Sequence, residues 1–179
     1  MDALFYLFTQ SHGDDFKTQG DLELMSMQQT LSHFASNADP IALSQILLDH
    51  WRSPGIYQDS LDFLHAVELP VYILSNIDRS DIMMAIALHH LSFAQIITSE
   101  DVRSCKPPSE MFIAALKEAG LEPHEVLHVE DSVSSDVVGA CRMGIPVAWI
   151  NRSGKTLRSE CTPSYLIKDL TDIMSLLPS

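Results

Sequence analysis

The acidic pair Glu130-Asp131 stands at the end of a short apolar run, residues 126–129, and Asp136 follows at the head of the next helical pattern. A run of that length and composition reads as a buried parallel strand, so both carboxylates fall at its carboxyl edge. In open α/β sheets that edge is where ligands bind, and a helix opening at Ser132 turns its N–H groups toward the same crevice. Two further groups occupy equivalent places: Ser75-Asn76 after the apolar run 71–74, and Lys106 in the loop after 95–97. A hydroxyl, an amide and an ammonium suit phosphate oxygens, while carboxylates suit a hard cation such as Mg2+. Each group alone has an ordinary explanation as a turn, a solvated cap or a first-turn acid. Their common placement at strand ends points to one crevice.

The elements that must position these groups follow from periodicity. Residues 2–10 put Ala3, Leu4, Leu7 and Phe8 on one helical face, with a buried strand as the alternative reading. Ser11 to Asp15 reads as a turn, a helix covers about 21–35, and Asp39-Pro40 caps and opens a third helix ending at Ser53-Pro54-Gly55. From Asp59 the pattern changes to alternation. A helix with Leu61, Phe63 and Val67 precedes strand 71–74, and Asp78 or Ser80 starts the next helix. Strand 95–97 precedes a helix opened by Pro107-Pro108 and closed by Gly120, then strand 126–129, a helix to Met143, and strand 146–150. Tyr165-Leu166-Ile167 reads as an edge strand before a last short helix at 170–177. Helix alternating with strand is the signature of a doubly wound parallel sheet, so the fold class is α/β, Rossmann-like.

Composition bounds the function. A chain of 179 residues with 46% hydrophobic residues builds one sizeable core with at most a small appendage. A formal net charge of −13 argues against non-specific binding to nucleic acid or to an anionic membrane. The odd number of cysteines, Cys105, Cys141 and Cys161, suggests neither a disulfide framework nor a zinc site. The run Leu4 to Phe8 has no basic flank and is much too short to span a bilayer, so a cytoplasmic location is expected. Trp51 and Trp149 read as packing residues, and His128 within its strand reads as a satisfied or surface histidine.

Taken in order, Ile73-Leu74-Ser75-Asn76, Cys105-Lys106-Pro107-Pro108-Ser-Glu-Met-Phe112 and His128-Val-Glu-Asp131-Ser-Val-Ser-Ser-Asp136-Val-Val-Gly139-Ala140 resemble the second, third and fourth motifs of the haloacid dehalogenase-like hydrolases. The resemblance covers about residues 58–175. It implies that Ser75 and Asn76 bind a transferring phosphoryl group, that Lys106 neutralises it and positions the nucleophile, that Asp131, with Glu130 as a second candidate, ligates Mg2+, and that Asp136 braces the loop. It further implies a partial helical cap at 1–57 and an α/β core at 58–179. The acidic fourth motif resembles the Mg2+-dependent phosphatase branch, which acts on small phosphorylated metabolites; dehalogenase members need no metal.

One departure dominates. The family's first motif, Asp-x-Asp-x-Thr after a first strand, supplies the nucleophile and the acid/base, and nothing in this sequence fits it. Asp14-Asp15 and Asp21-Leu22-Glu23 follow no apolar strand, and Leu4 to Phe8 runs into Thr9-Gln10-Ser11-His12. Without that carboxylate no aspartyl-phosphate forms, and Asp131 alone holds Mg2+ weakly. The expected reading is therefore a phosphohydrolase lineage that is inactive as given, with a non-catalytic phosphate-binding or interaction module as the alternative. By the resemblance, the missing strand lies mid-sheet between those ending at Ser75 and Glu130. Residues 3–8, a strand from another copy, or an absent N-terminal segment are the candidates to fill that slot, and self-association through it is the expected partner interaction.

Overall fold

The structure, a computed structural model, describes residues 3–177. In chain order the regular elements are α1 (Ala3–Gln10), α2 (Gln19–His33), α3 (Pro40–Arg52), α4 (Gln58–Ala66), β1 (Tyr72–Ser75), α5 (Arg79–Leu88), β2 (Gln95–Thr98), α6 (Ser99–Val102), α7 (Glu110–Ala119), β3 (His128–Glu130), α8 (Val138–Arg142), β4 (Val147–Ile150) and β5 (Tyr165–Ile167). Every strand pairing is parallel. The α/β class expected from the alternation is what forms. Among the described residues the strands make two sheets, β1-β2 and β3-β4-β5, with no ladder joining β1 to β3. The chain divides into two compact units.

The first unit comprises the chain up to Gly55 together with Val71–Met111. Residues 3–10 are helical, which removes them as a surrogate strand: Leu7 sits with Leu22 and Cys105 in a small apolar core, flanked by Leu4, Phe8, Phe16 and Met25. A helical repeat buries that stripe against α2, which an alternating strand pattern cannot do. Thr18 caps α2 by accepting from Asp21 N–H, and the Asp78 carboxylate accepts from Gln19 N–H at 2.7 Å and Gly20 N–H at 3.0 Å. Gly20 permits that approach, since a Cβ there would meet Asp78 Oδ2 at 3.1 Å. Asp39 caps α3 through Ile41 N–H at 2.9 Å, with Pro40 at the first helical position, as its sequence indicates. Arg52, at the far end of α3, reaches the buried Asp81 of α5 at 2.8 Å.

The second unit comprises Ile56–Pro70 and the chain from Phe112 onward. Ala148 and Ile150 of β4, Ile167 of β5 and Ile173 form its core, covered by Phe63, Leu127, Val129 and Leu170. All four residues of β4 are buried, as a central strand requires. Several boundaries differ from the sequence reading. The helix expected from Pro107 begins at Glu110, strand β3 begins at His128 and includes Glu130, and the final helix is a 3-10 turn, Leu170–Ser175. The helix after β3 opens as a π-helical turn, Val133–Val137, before continuing as α8.

Asp59 ties α4 to the chain's last turn. Its carboxylate accepts from Arg152 at 2.7 Å and from Leu170 N–H at 2.9 Å. Burial pushes its pKa up, yet these donors outweigh burial and hold the carboxyl below its ordinary range. A depressed folded-state pKa contributes stability that is present above the unfolded value and lost as pH falls through the folded one. Urea unfolding of Asp59→Asn is expected to show a deficit of about 1–3 kcal/mol at neutral pH that shrinks below about pH 4. A deficit that stays constant from pH 7 to pH 3 would show that the ion pair contributes nothing.

Candidate functional site

Ser75 ends β1, and Asn76 begins the turn that leads to Asp78 and α5. Asn76 grips the peptide of Lys106: its Oδ1 accepts from Lys106 N–H at 2.7 Å, and its Nδ2 donates to Lys106 C=O at 3.4 Å. The backbone of Asn76 is held in turn by Ser99, whose hydroxyl donates to Asn76 C=O at 2.9 Å. Lys106 is buried, and its ammonium donates to Leu74 C=O at 2.7 Å, at the carboxyl end of β1. The Lys106-Pro107 peptide is cis. Ser75 Oγ accepts from Ile77 N–H at 3.2 Å, which leaves the hydroxyl hydrogen as its donor.

Three of the residues singled out in the sequence, Ser75, Asn76 and Lys106, therefore come together in the first unit. A charge acts more strongly where solvent does not screen it, so burial of Lys106 strengthens its pull on an anion that reaches it. Both ends of the Asn76 amide engage Lys106.

Glu130, Asp131 and Asp136 lie in the second unit. Glu130 is the last residue of β3, and its carboxylate accepts from Asp131 N–H at 2.9 Å. Asp131 C=O is fixed by Trp149, whose indole N–H donates to it at 3.0 Å. The Asp131 side chain is 61% exposed, with Lys155 Nζ 3.5 Å from its Oδ2. Asp136 behaves differently. It is buried in the π-helical turn, and His128 Nε2 meets its Oδ1 at 3.2 Å, with Phe112 edge-on against the imidazole. Asp136 is thus turned toward β3, where its carboxylate is bonded to His128.

Sequence reasoning missed Lys155, which follows the end of β4 and so stands at the carboxyl edge of its own sheet. It also missed the Trp149 tie and the His128–Asp136 bond, which join residues on different elements. The position of Lys155 after an apolar strand was the one readable signal.

Among the described residues no three His, Cys, Asp or Glu side chains form a group able to hold a metal ion. Mg2+ prefers oxygen ligands and often keeps several waters beside one or two carboxylates and a bound phosphate. The exposed Asp131 carboxylate fits an ion held in that way. It does not fit one retained by protein ligands alone.

A family model described as haloacid dehalogenase-like hydrolase matches residues 26–144. The chain belongs to that family. It is 31% identical over 158 residues to an (S)-2-haloacid dehalogenase of Pseudomonas fluorescens, a match covering 85% of this chain and 69% of that one. A phosphoserine phosphatase of Thermus thermophilus is 29% identical over 138 residues, covering 73% of this chain and 55% of the phosphatase. In structure, the L-2-haloacid dehalogenase of Xanthobacter autotrophicus superposes with a TM-score of 0.80 at 21% identity, covering 98% of this chain and 82% of its own. The haloacid dehalogenase fold thus extends over nearly the whole chain. Its relatives include both dehalogenases and phosphatases. No helix among the described residues is long and apolar enough to cross a membrane.

Proposed function

We propose that this family member handles the phosphoryl group of a small phosphorylated metabolite, in the manner of the Mg2+-dependent phosphohydrolases, and that the chain as given binds that group without cleaving it. The observation that carries the proposal is the Asn76–Lys106 clamp. Asn76 holds the backbone of Lys106 by two hydrogen bonds, and the buried ammonium donates to Leu74 C=O at the end of β1, beside a serine whose hydroxyl accepts from Ile77 N–H and keeps a hydrogen to donate. Ser75 donates to a phosphate oxygen, Lys106 neutralises its charge, and Asn76 fixes Lys106. In the second unit Asp131 would be the residue to hold Mg2+, and Asp136 braces the turn behind it. No Asp-x-Asp pair follows an apolar strand in this sequence, so the nucleophile is lacking.

A second reading, action on a 2-haloacid, is favoured by the 31% identity to the Pseudomonas fluorescens dehalogenase. The two readings differ in the anion and in the need for a cation. The acidic pair Glu130-Asp131 supports phosphate with Mg2+. Calorimetric titration with inorganic phosphate in the presence of Mg2+ tests the choice. Binding is expected, weakened by about tenfold or more in Lys106→Met, as removal of one charge-assisted hydrogen bond of roughly 1.5–3 kcal/mol requires. The exposed control Lys168→Met is expected to bind like the parent. Equal binding by Lys106→Met and the parent would remove Lys106 from the site. Binding of 2-chloropropionate but not phosphate would select the second reading.

A further inference from the structure

Cys141 and Cys161 lie far apart in the sequence but close to each other in the second unit. Cys141 is in α8, and Cys161 lies on the segment that leaves β4 and returns as β5. Cys141 Sγ donates to Thr162 C=O at 3.6 Å, which brings its sulfur to the residue next to Cys161. Cys161 itself is held by Ser159, whose hydroxyl accepts from Cys161 N–H at 3.0 Å. Further along, Ser164 Oγ accepts from Val147 N–H at 3.2 Å, which pins the end of the segment to β4. Both cysteines are half-buried and carry no disulfide, so a small solute reaches them; Cys105, by contrast, is wholly enclosed beside Leu7 and Leu22.

We propose that Cys141 and Cys161 form a redox-active dithiol that closes to a disulfide on reaction with a hydroperoxide. The Cys161 thiol, on losing its proton, attacks the outer peroxide oxygen. The O–O bond breaks, a sulfenic acid forms on Cys161, and the departing alkoxide takes up the proton to leave as an alcohol, or as water when the oxidant is hydrogen peroxide. Cys141 then attacks the sulfenic sulfur. The S–S bond forms, hydroxide leaves, and it takes the Cys141 proton to become water. Two thiols are oxidised by two electrons in all, and the peroxide is reduced by the same two. Burial, reinforced by the neighbouring Cys161, pushes the Cys141 thiol up, which suits Cys141 to the second, resolving attack.

The closed disulfide staples the segment between β4 and β5 to α8. That segment carries Lys155, whose ammonium lies beside Asp131, so the redox state of the pair sets how firmly Lys155 is held there. The staple constrains the segment most in states where it would otherwise open.

The test uses the full chain, reduced and then exposed to hydrogen peroxide, with intact mass measurement and peptide mapping after alkylation. The expected product has lost two hydrogens and yields a peptide linked through Cys141 and Cys161, in the parent and in Cys105→Ser alike. Cys141→Ser is expected to accumulate a dimedone-trapped sulfenic acid at Cys161. Trypsin cleavage after Lys155 and Arg158 is expected to slow by roughly tenfold on oxidation, because a cross-link of this span suppresses the open state. A linked peptide containing Cys105, or oxygen addition at Cys141 and Cys161 without a cross-link, would overturn the proposal. The mapping of the unaltered chain decides the matter even if a variant fails to fold.

Discussion

Trp149→Ala is expected to be the most damaging single substitution in the second unit, at a cost of about 3–5 kcal/mol. Trp149 is only 3% exposed and sits in the middle strand of its sheet, opposite Glu130 of β3 and Leu166 of β5. Removing the indole leaves a cavity between two ladders and strips Asp131 C=O of its donor. Domains as a rule hold only about 5–15 kcal/mol, so this loss alone should leave a sizeable unfolded fraction in mild urea. Trp149→Phe separates the two effects. It keeps most of the bulk and loses only the N–H, so its deficit should be near 1–2 kcal/mol. Circular dichroism along a urea series reads both. A deficit for Trp149→Ala below that of Trp149→Phe would mean that the indole does not support β3 and the Asp131 turn.

Asp136→Ala is expected to cost about 2–4 kcal/mol, although alanine is the better helix former. Asp136 is 3% exposed, and its Oδ1 receives the His128 ring at 3.2 Å from the neighbouring strand. Deleting the carboxylate leaves the imidazole of His128, 13% exposed and backed by Phe112, with a polar nitrogen facing an apolar methyl. Asp136→Asn keeps an oxygen that can accept the bond and should lose less than half as much. The comparison matters because the resemblance gives Asp136 a place in the site, whereas its geometry shows a carboxylate in the π-helical turn bonded back to His128 of β3. Thermal unfolding of the two variants decides between a bracing role and none. Equal midpoints for Asp136→Ala and the parent would leave the bond to His128 without energetic weight.

Much of this architecture was legible because short-range rules act on short stretches. Asp39-Pro40 announces a helix start through one side-chain acceptor and one fixed φ, and the structure has that cap. Gly120, at φ +67°, closes α7 where a residue with a Cβ would be strained, and the glycine could be read as a terminator from its position. The parallel strands followed from apolar runs that end in polar residues, and they placed Ser75 and Glu130 at strand ends within a residue of where the structure has them. Residues 3–10 read as helix by a narrow preference over a buried strand, because Leu4 to Phe8 is apolar throughout. Packing against α2 and Cys105 decides for helix, and sequence alone does not carry that contact.

What could not be read is long-range. Asn76 clamps Lys106 across two intervening helices and a strand, a contact that no local pattern in the sequence announces. Lys155 reaches Asp131, and Cys141 meets Thr162 beside Cys161, only because of the path that the chain takes on its return from β4 to β5. An odd cysteine count with no paired spacing hides such a contact. The π-helical turn after β3 has no sequence signature of its own. It is where Asp136 turns inward to His128, leaving Asp131 to face solvent.

The separation between binding and turnover is the centre of this account, and one rate measures it most directly. The purified chain should be incubated with Mg2+ and p-nitrophenyl phosphate, and release of p-nitrophenol followed against a protein-free control. The account predicts no rate above that control, because no Asp-x-Asp pair follows an apolar strand in the sequence, together with the proposed binding of phosphate through Lys106. Turnover that rises in proportion to protein and disappears in Asp131→Ala would contradict it.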